Sequence, residues 1–415
     1  MSKPSRFVLP HTGHSLVPGK RTRPPKGFKL EVTLVLAPSK AIPDFAAGAP
    51  IPTDLAQFDV TPAAVGLVTA FAVSNRLTVD SCDPSRRLVR LSGTLFRMSV
   101  AFDTTVKLYT RGRRTFVAHT DPISLPEELD GVVIAVLGLD GTATAAHTTL
   151  GVGNVPRQSA VPKAPSARSV TPMTPLALAT GVTADADGAE TDIDEGGRVT
   201  RITMDDFESR VLTNYAVPRI GQIYNFPEGT GKGVVIGIIA LSGGYIEADL
   251  KAYFSSLGLS VPTIVNLNEN QPNQPNNEIN DYQVSQTLQI LGALVPDATL
   301  QVYNMNGSLS VDALHQAFST AIYDDSTPHI IVNPWVFVEN PVGLEGIGIT
   351  GPGVDALESV FQMAVMRGIT LISSSGSTGA LYPVAISTGD TPSGSGMAGV
   401  NLPYPYYPAS SAYHV

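Results

Sequence analysis

The chain has 415 residues, 43% of them apolar and 15% charged, a balance that supports a large buried core and excludes a disordered or fibrous protein. Its length fits two domains and a linker better than one domain; the 38 Gly and 33 Pro follow no Gly-X-Y period, which excludes collagen, and the single Cys82 excludes an intramolecular disulfide and a cysteine-rich zinc site. Residues 1–147 carry 17 Lys and Arg against 12 Asp and Glu, the remainder 10 against 24, so a basic N-terminal unit is expected to attract an acidic C-terminal one.

Residues 1–26 mix Pro, Lys, Arg and His without a continuous apolar stretch, and are expected to form a flexible tail with no visible signal peptide. Residues 27–147 form the first unit. Phe28 to Leu36 alternates apolar and polar residues as a half-buried strand does. Thr61 stands as an N-cap before Pro62, with Ala64, Val65, Val68, Phe71 and Ala72 at helical spacing. Strands at Leu77 to Val79 and Leu88 to Leu91 enclose a turn with Asp83 and Pro84; Thr94 opens a second helix to Phe102; Val106 to Tyr109 and Thr115 to Ala118 follow as strands. This β-α-β-β-α-β order predicts a ferredoxin-like unit. Residues 148–206 are poor in large apolar side chains and hold an acidic run from Asp185 to Glu195, which predicts a linker.

From residue 207 onward, buried-type strands alternate with amphipathic helices, predicting a parallel sheet covered by helices. The strands are Val234 to Leu241, Thr263 to Leu267, Thr299 to Tyr303, Ile330 to Val332 and Thr370 to Ser373. Helical stripes run through Ile246, Leu250, Tyr253, Phe254 and Leu257; through Val311, His315, Phe318 and Ile322; and through Val354, Leu357, Phe361, Ala364 and Val365. No apolar run reaches the roughly eighteen residues of a membrane-spanning helix, so no membrane partner is expected. The modest basic excess, tightly clustered at Arg111, Arg113 and Arg114 alone, argues against a nucleic-acid partner.

Several stretches resemble the sedolisins, or serine-carboxyl peptidases, in particular the kumamolisin-like members with an activation prodomain. Asp83 to Thr94 (DPSRRLVRLSGT) is similar to the prodomain hairpin and Val132 to Asp140 to its closing segment. Tyr224 to Pro227 and Gly229 to Tyr253 resemble the first strand and helix of the peptidase domain, and Gly292 to Ala298 the corner behind its acidic pair. The resemblance implies a subtilisin-like three-layer α/β domain, C-terminally incomplete here, that cleaves peptide bonds at acidic pH. A Glu and an Asp four residues apart would serve a Ser nucleophile, and a second Asp would stabilise the oxyanion. Carboxyl groups suit that task because an imidazole base is protonated at low pH.

Carried onto this chain, the resemblance puts the general-base Glu at Gln283, its orienting Asp at Thr287 and the oxyanion Asp at Ser377. The spacing is kept and the acids are not: an amide neither accepts nor releases a proton in the working range, and a Thr hydroxyl is no base. Shifting the frame to Glu278 or Asp281 restores no ExxxD, and Asp281 is expected to be a helix N-cap. No Gly-Thr-Ser-Ala occurs among the 415 residues, and the calcium loops implied by the family would fall beyond Val415, so no cofactor is expected in this chain. Trp335 matches a groove-lining part of the family, against packing as the simpler role. The seven His show no HxxxH or HExxH spacing for a metal, and Ser242-Gly243-Gly244 reads as a tight connection. The expectation is a catalytically degenerate peptidase relative that keeps its prodomain docked through a basic surface, with a partner or second chain completing the sheet. The alternative is an active acid endopeptidase, self-processed in the linker and seen as a truncated chain. The compartment stays open, since the family is commonly secreted.

Overall fold

The computed structural model describes residues 5–10, 12, 19–43, 50–111, 114–142, 146–147, 191–193, 199–201, 216–267, 273, 275, 278–305, 309–339, 349, 351–376, 382–387, 397–402 and 406–414. In the N-terminal unit the strands are β1 (Arg6–Val8), β2 (Lys20–Thr22), β3 (Leu30–Leu36), β4 (Thr78–Asp83), β5 (Leu88–Gly93), β6 (Val106–Arg111), β7 (Arg114–His119), β8 (Ser124–Pro126), β9 (Val133–Leu137) and β10 (Ala146–His147). Its helices are α1 (Pro62–Ser74) and α2 (Leu95–Ala101). Both start as their sequences dictate: Thr61 Oγ1 accepts from the Ala64 N–H at 3.2 Å and Thr94 Oγ1 from the Arg97 N–H at 3.3 Å, each capping an otherwise unsatisfied donor. Val68, Phe71 and Ala72 of α1 and Met98 and Ala101 of α2 then pack into one core with Val32, Leu34, Val89 and Leu91 of the sheet.

That sheet is antiparallel, in the order β4-β5-β3-β9. Its fourth strand is β9; the predicted strands at Val106 to Tyr109 and Thr115 to Ala118 instead form a hairpin in a separate sheet, β2-β6-β7. Local alternation identifies a strand without naming its sheet, and here two sheets compete for adjacent strands. The expected tail is also corrected, because β1 pairs with β8 and β2 with β6. Arg6 explains the first pairing: its guanidinium donates to Ala101 O at 2.7 Å, Ser124 O at 2.5 Å and Ser124 Oγ at 3.0 Å.

Within the predicted linker, the described residues are β11 (Thr191–Ile193) and β12 (Val199–Arg201), an antiparallel pair; the rest of 148–206 lies outside the described residues. The C-terminal unit contains β13 (Val235–Leu241), β14 (Thr263–Asn266), β15 (Thr299–Met305), β16 (Ile330–Asn333), β17 (Trp335–Val338), β18 (Thr370–Ser373), β19 (Tyr382–Ser387), β20 (Met397–Leu402) and β21 (Tyr406–Tyr407). Its helices are α3 (Val217–Ile223), α4 (Glu247–Ser256), α5 (Glu278–Leu294), α6 (Val311–Ile322) and α7 (Gly351–Met366). Five strands make an all-parallel sheet in the order β14-β15-β13-β16-β18. One face, with Ile236, Ile238, Ala240, Leu300 and Val302, packs on Leu250 and Phe254 of α4 and Val284 and Leu288 of α5. The other, with Ile239, Leu241, Tyr303 and Ile331, packs on α6 and α7 through Leu314, Phe318, Leu357 and Phe361. The molecule is thus α/β, with an antiparallel-sheet unit followed by a parallel-sheet unit.

The two units meet along α6 and α7. Val35, Ala135 and Leu137 of the first sheet cluster with Ala356, and Leu88, Ile134 and Val311 pack against them. This seam is apolar, not basic as the charge split predicts. Among the described residues its one deeply buried cation is Arg87, 2% exposed, whose Nη2 donates to Ser359 O at 2.6 Å and Ser359 Oγ at 2.7 Å. Tyr323 Oη donates to Ser85 O at 2.8 Å at the rim.

Candidate active site

In an open parallel sheet, ligands meet the carboxyl ends of the strands where the chain reverses its order of addition. Here that point is the end of β13, since β14 and β15 lie to one side and β16 and β18 to the other. The chain leaves β13 through Ser242 at φ 60° and Gly243 at φ 89°, the tight connection expected from the sequence. Gly243 is required for a second reason: a Cβ there would stand 2.8 Å from Asn280 Cβ. The first turn of α5 thereby presses directly on the β13 exit.

Four side chains fasten this corner. Asp281 Oδ1 accepts from the Gly244 N–H at 2.6 Å, Asn304 Nδ2 donates to Gly243 O at 3.0 Å, and Asn273 both accepts from Tyr245 N and donates to Tyr245 O at 2.9 Å. Asn266 Nδ2 donates to Tyr245 Oη at 2.9 Å. The expectation that Asp281 is an N-cap is corrected: α5 already begins at Glu278, and the Asp281 carboxylate reaches across to another loop. Asn280 is buried in that first turn.

One and two turns further on stand the two positions at which the resemblance expects acids. Gln283 is 3% exposed and Thr287 7% exposed. Thr287 Oγ1 donates to Gln283 O at 2.9 Å, one turn back along the helix, and Gln283 Oε1 has no hydrogen-bond partner among the described residues. A buried acceptor left unpaired costs about 1–3 kcal/mol. The pair can give and take hydrogen bonds but cannot shuttle a proton, because neither group ionises in the working range.

Ser377 lies outside the described residues. Trp335 is corrected as a groove residue: it is 0% exposed, and its Nε1–H donates to Ile239 O at 2.9 Å, tying β17 to the central strand. Its backbone faces a neighbour instead. Ala146 and His147 of β10 pair antiparallel with Val336 and Trp335, while β21 pairs with the far part of β17. Sequence reasoning also passed over Asn304 and Asn333, buried at strand ends. Asn333 donates to Trp335 O at 2.8 Å and to Ser373 Oγ at 3.1 Å. Their only signal is an Asn closing each apolar strand run.

The ionisable groups most strongly perturbed by burial lie away from this corner. At the seam, desolvation and the nearby Arg87 charge push His315 down to about 4, and burial raises Tyr323 to about 12. Desolvation likewise raises the Asp312 carboxyl. Near β21, burial raises Glu358, whose Oε1 accepts from Tyr407 Oη at 2.8 Å. Among the described residues no group of three or more His, Cys, Asp or Glu is placed to hold a metal, and no helix is long and apolar enough to cross a membrane.

An N-terminal antiparallel unit docked on a parallel α/β unit, with a strand-end corner fastened by amides and one carboxylate, makes up a two-part α/β chain. Residues 55–142 match the family described as pro-kumamolisin, activation domain. Kumamolisin of Bacillus sp. (strain MN-32) is 32% identical over 192 residues, which cover 44% of this chain and 33% of that protein. Sedolisin of Pseudomonas sp. (strain 101) is 33% identical over 99 residues, covering 24% of this chain and 17% of that protein. The solved Pseudomonas sedolisin, a serine-carboxyl proteinase complexed with pseudo-iodotyrostatin, superposes with a TM-score of 0.37 at 20% identity, over 48% of this chain and 52% of that one. Residues 55–142 thus form a pro-kumamolisin-type activation domain, and over the matched regions the chain is similar to the sedolisin/kumamolisin-like serine-carboxyl peptidases. The matched region spans a third or less of the length of these curated relatives.

Proposed function

We propose that this protein is a catalytically degenerate member of its family, a ferredoxin-like activation domain joined to a subtilisin-like three-layer domain and retained as a binding or assembly module. The observation that carries the reading is the buried pair Gln283 and Thr287: where the resemblance expects a general base and the acid that orients it, the helix presents an amide whose oxygen is unpaired among the described residues and a hydroxyl that donates to the helix backbone. No proton acceptor for a serine stands at either position, and general-base assistance is worth roughly 10²–10⁴-fold in rate. The order β4-β5-β3-β9 supports the ferredoxin-like description, and the helices on both faces of the parallel sheet support the subtilisin-like one.

The activation domain stays in place in this reading. Its sheet packs on α6 and α7, Arg87 bonds Ser359, and the strand that leaves it, β10, lies along β17. With no self-cleavage between residues 148 and 206, nothing releases it. The test is turnover of an unfolded protein substrate by the full chain between pH 3 and 7. No turnover above that of a heat-inactivated sample is expected; a serine-modifying inhibitor that abolishes measurable turnover would establish an active endopeptidase instead.

A further inference from the structure

On the side of the activation domain formed by its second sheet, Arg21, Arg23 and Lys107 surround a cleft of about 400 Å³ whose apolar walls include Leu95, Val106 and Leu108. The volume lies within the range of ligand-binding clefts. No carboxylate lines it, and none forms an ion pair with any of the three cations among the described residues. Arg21 pairs with Tyr109 and Thr22 with Leu108 in the antiparallel register, and just beyond the last pair Arg23 and Lys107 line the same cleft. Like charges gathered in one cleft repel, and a counter-anion between them removes the cost. The strand that carries the arginines, β2, is an edge: β6 lies on one side and no described strand on the other. An edge strand offers backbone donors and acceptors to an extended peptide, and residues two apart on it point to the same side.

We infer that this cleft binds a short acidic peptide segment in extended form. The peptide runs beside β2, its carboxylates alternate toward Arg21 and Arg23, one of them reaches Lys107, and its intervening apolar side chains rest on Leu95 and Leu108. Carboxylates recommend themselves by charge complementarity, and a peptide by the free strand edge and the apolar walls, which a compact inorganic anion leaves unused. The site lies in the activation domain, apart from the seam on α6 and α7 and from the β13 exit, and is independent of the catalytic reading.

The test measures binding of a fluorescein-labelled Glu-Val-Glu-Val-Glu peptide to the full chain by fluorescence anisotropy. The expected result is saturable binding that weakens with added salt and is lost in the Gln-Val-Gln-Val-Gln counterpart. Arg21→Gln with Arg23→Gln is expected to weaken binding about tenfold, since two partly exposed charge pairs are removed. Lys26→Gln with Lys29→Gln removes the same charge outside the cleft and is expected to leave affinity within twofold. An N-methylated peptide, unable to pair with β2, is expected to bind more weakly. Equal binding of the neutral peptide, equal weakening by the Lys26 and Lys29 changes, or tighter binding of inorganic tripolyphosphate than of the acidic peptide would overturn the proposal. Circular dichroism on each variant separates lost binding from lost folding.

Discussion

Two polar regions of the C-terminal unit, on the successive helices α5 and α6, are built on opposite principles. Along α5 the buried pair is neutral: Gln283 and Thr287 keep the spacing of a family acid pair without its charge. Along α6 and α7 the groups are ionisable: His315 and, from the activation domain, Arg87 are buried at the seam, and Asp312 is partly buried there with its carboxyl raised. The difference teaches where this protein keeps its electrostatic sensitivity. Much of its pH response is expected to come from the contact between its two units and none from the strand-end corner that leads to Gln283 and Thr287.

The largest effect should come from Trp335, which anchors β17 to the sheet core. Trp335→Ala is expected to cost about 3–5 kcal/mol of unfolding free energy, as emptying a buried aromatic site generally does. Trp335→Phe, which removes the bond to Ile239 O, should cost less; urea denaturation reads both. An unchanged midpoint for Trp335→Ala would place the indole outside the core.

At the seam, Arg87→Met is expected to cost about 1.5–3 kcal/mol, the range for a buried hydrogen bond from a charged group. Arg87 also sits at φ 59°, so Arg87→Gly relieves backbone strain while losing the same bond and should be destabilised less than Arg87→Ala. Reversed order between these two would show that the side-chain bond and the strain are not separable contributions.

The comparison predicts a specific pH profile. His315 titrates near 6.5 unfolded and is held down to about 4 when folded, so between those values the unfolded chain binds the extra proton. Stability is therefore expected to fall as pH drops from about 6.5 to 4, by up to about 3 kcal/mol from this residue. His414, also lowered to about 4 by burial, falls in the same window. The raised carboxyls of Asp312 and Glu358 work in the opposite direction, because the folded state holds their protons more tightly and gains stability as they protonate. His315→Gln should make the fall between pH 6.5 and 4 shallower, leaving the share from His414, whereas Gln283→Leu should leave its shape unchanged. A profile unaffected by His315→Gln would break the assignment of pH sensitivity to the seam.

The smallest effect expected is at the α1 cap. Thr61→Ala should lower stability by about 1 kcal/mol in thermal unfolding, since the Ala64 N–H loses its side-chain acceptor.

The sequence made the repeated elements legible because each depends on local periodicity. Thr61 and Pro62 mark the start of α1, Thr370 to Ser373 coincides with β18, and all five strands of the parallel sheet fall within a few residues of their apolar runs. Sheet membership was not legible. The alternation at Val106 to Tyr109 is the same whether the strand joins β3 or β2, and only long-range packing chooses. Net charge misled on the seam for a related reason: a charge count does not say which face a strand buries, and the face presented to α7 is that of Val35, Ala135 and Leu137. Of the candidate site, the spacing between Gln283 and Thr287 was readable from sequence through the family resemblance. The Asn280, Asp281 and Asn304 fastenings were not, because they depend on loops that meet only after the sheet is assembled.

The most direct measurement is the intact mass of the purified full chain after incubation at steps from pH 3 to 7, alongside a parallel digestion by an added protease that shows whether residues 148–206 can be cut. The account predicts that the added protease cleaves within that segment and that the chain alone keeps its full mass at every pH. Self-cleavage there with first-order kinetics independent of protein concentration would contradict it, and would mean that an acid other than positions 283 and 287 serves an active serine.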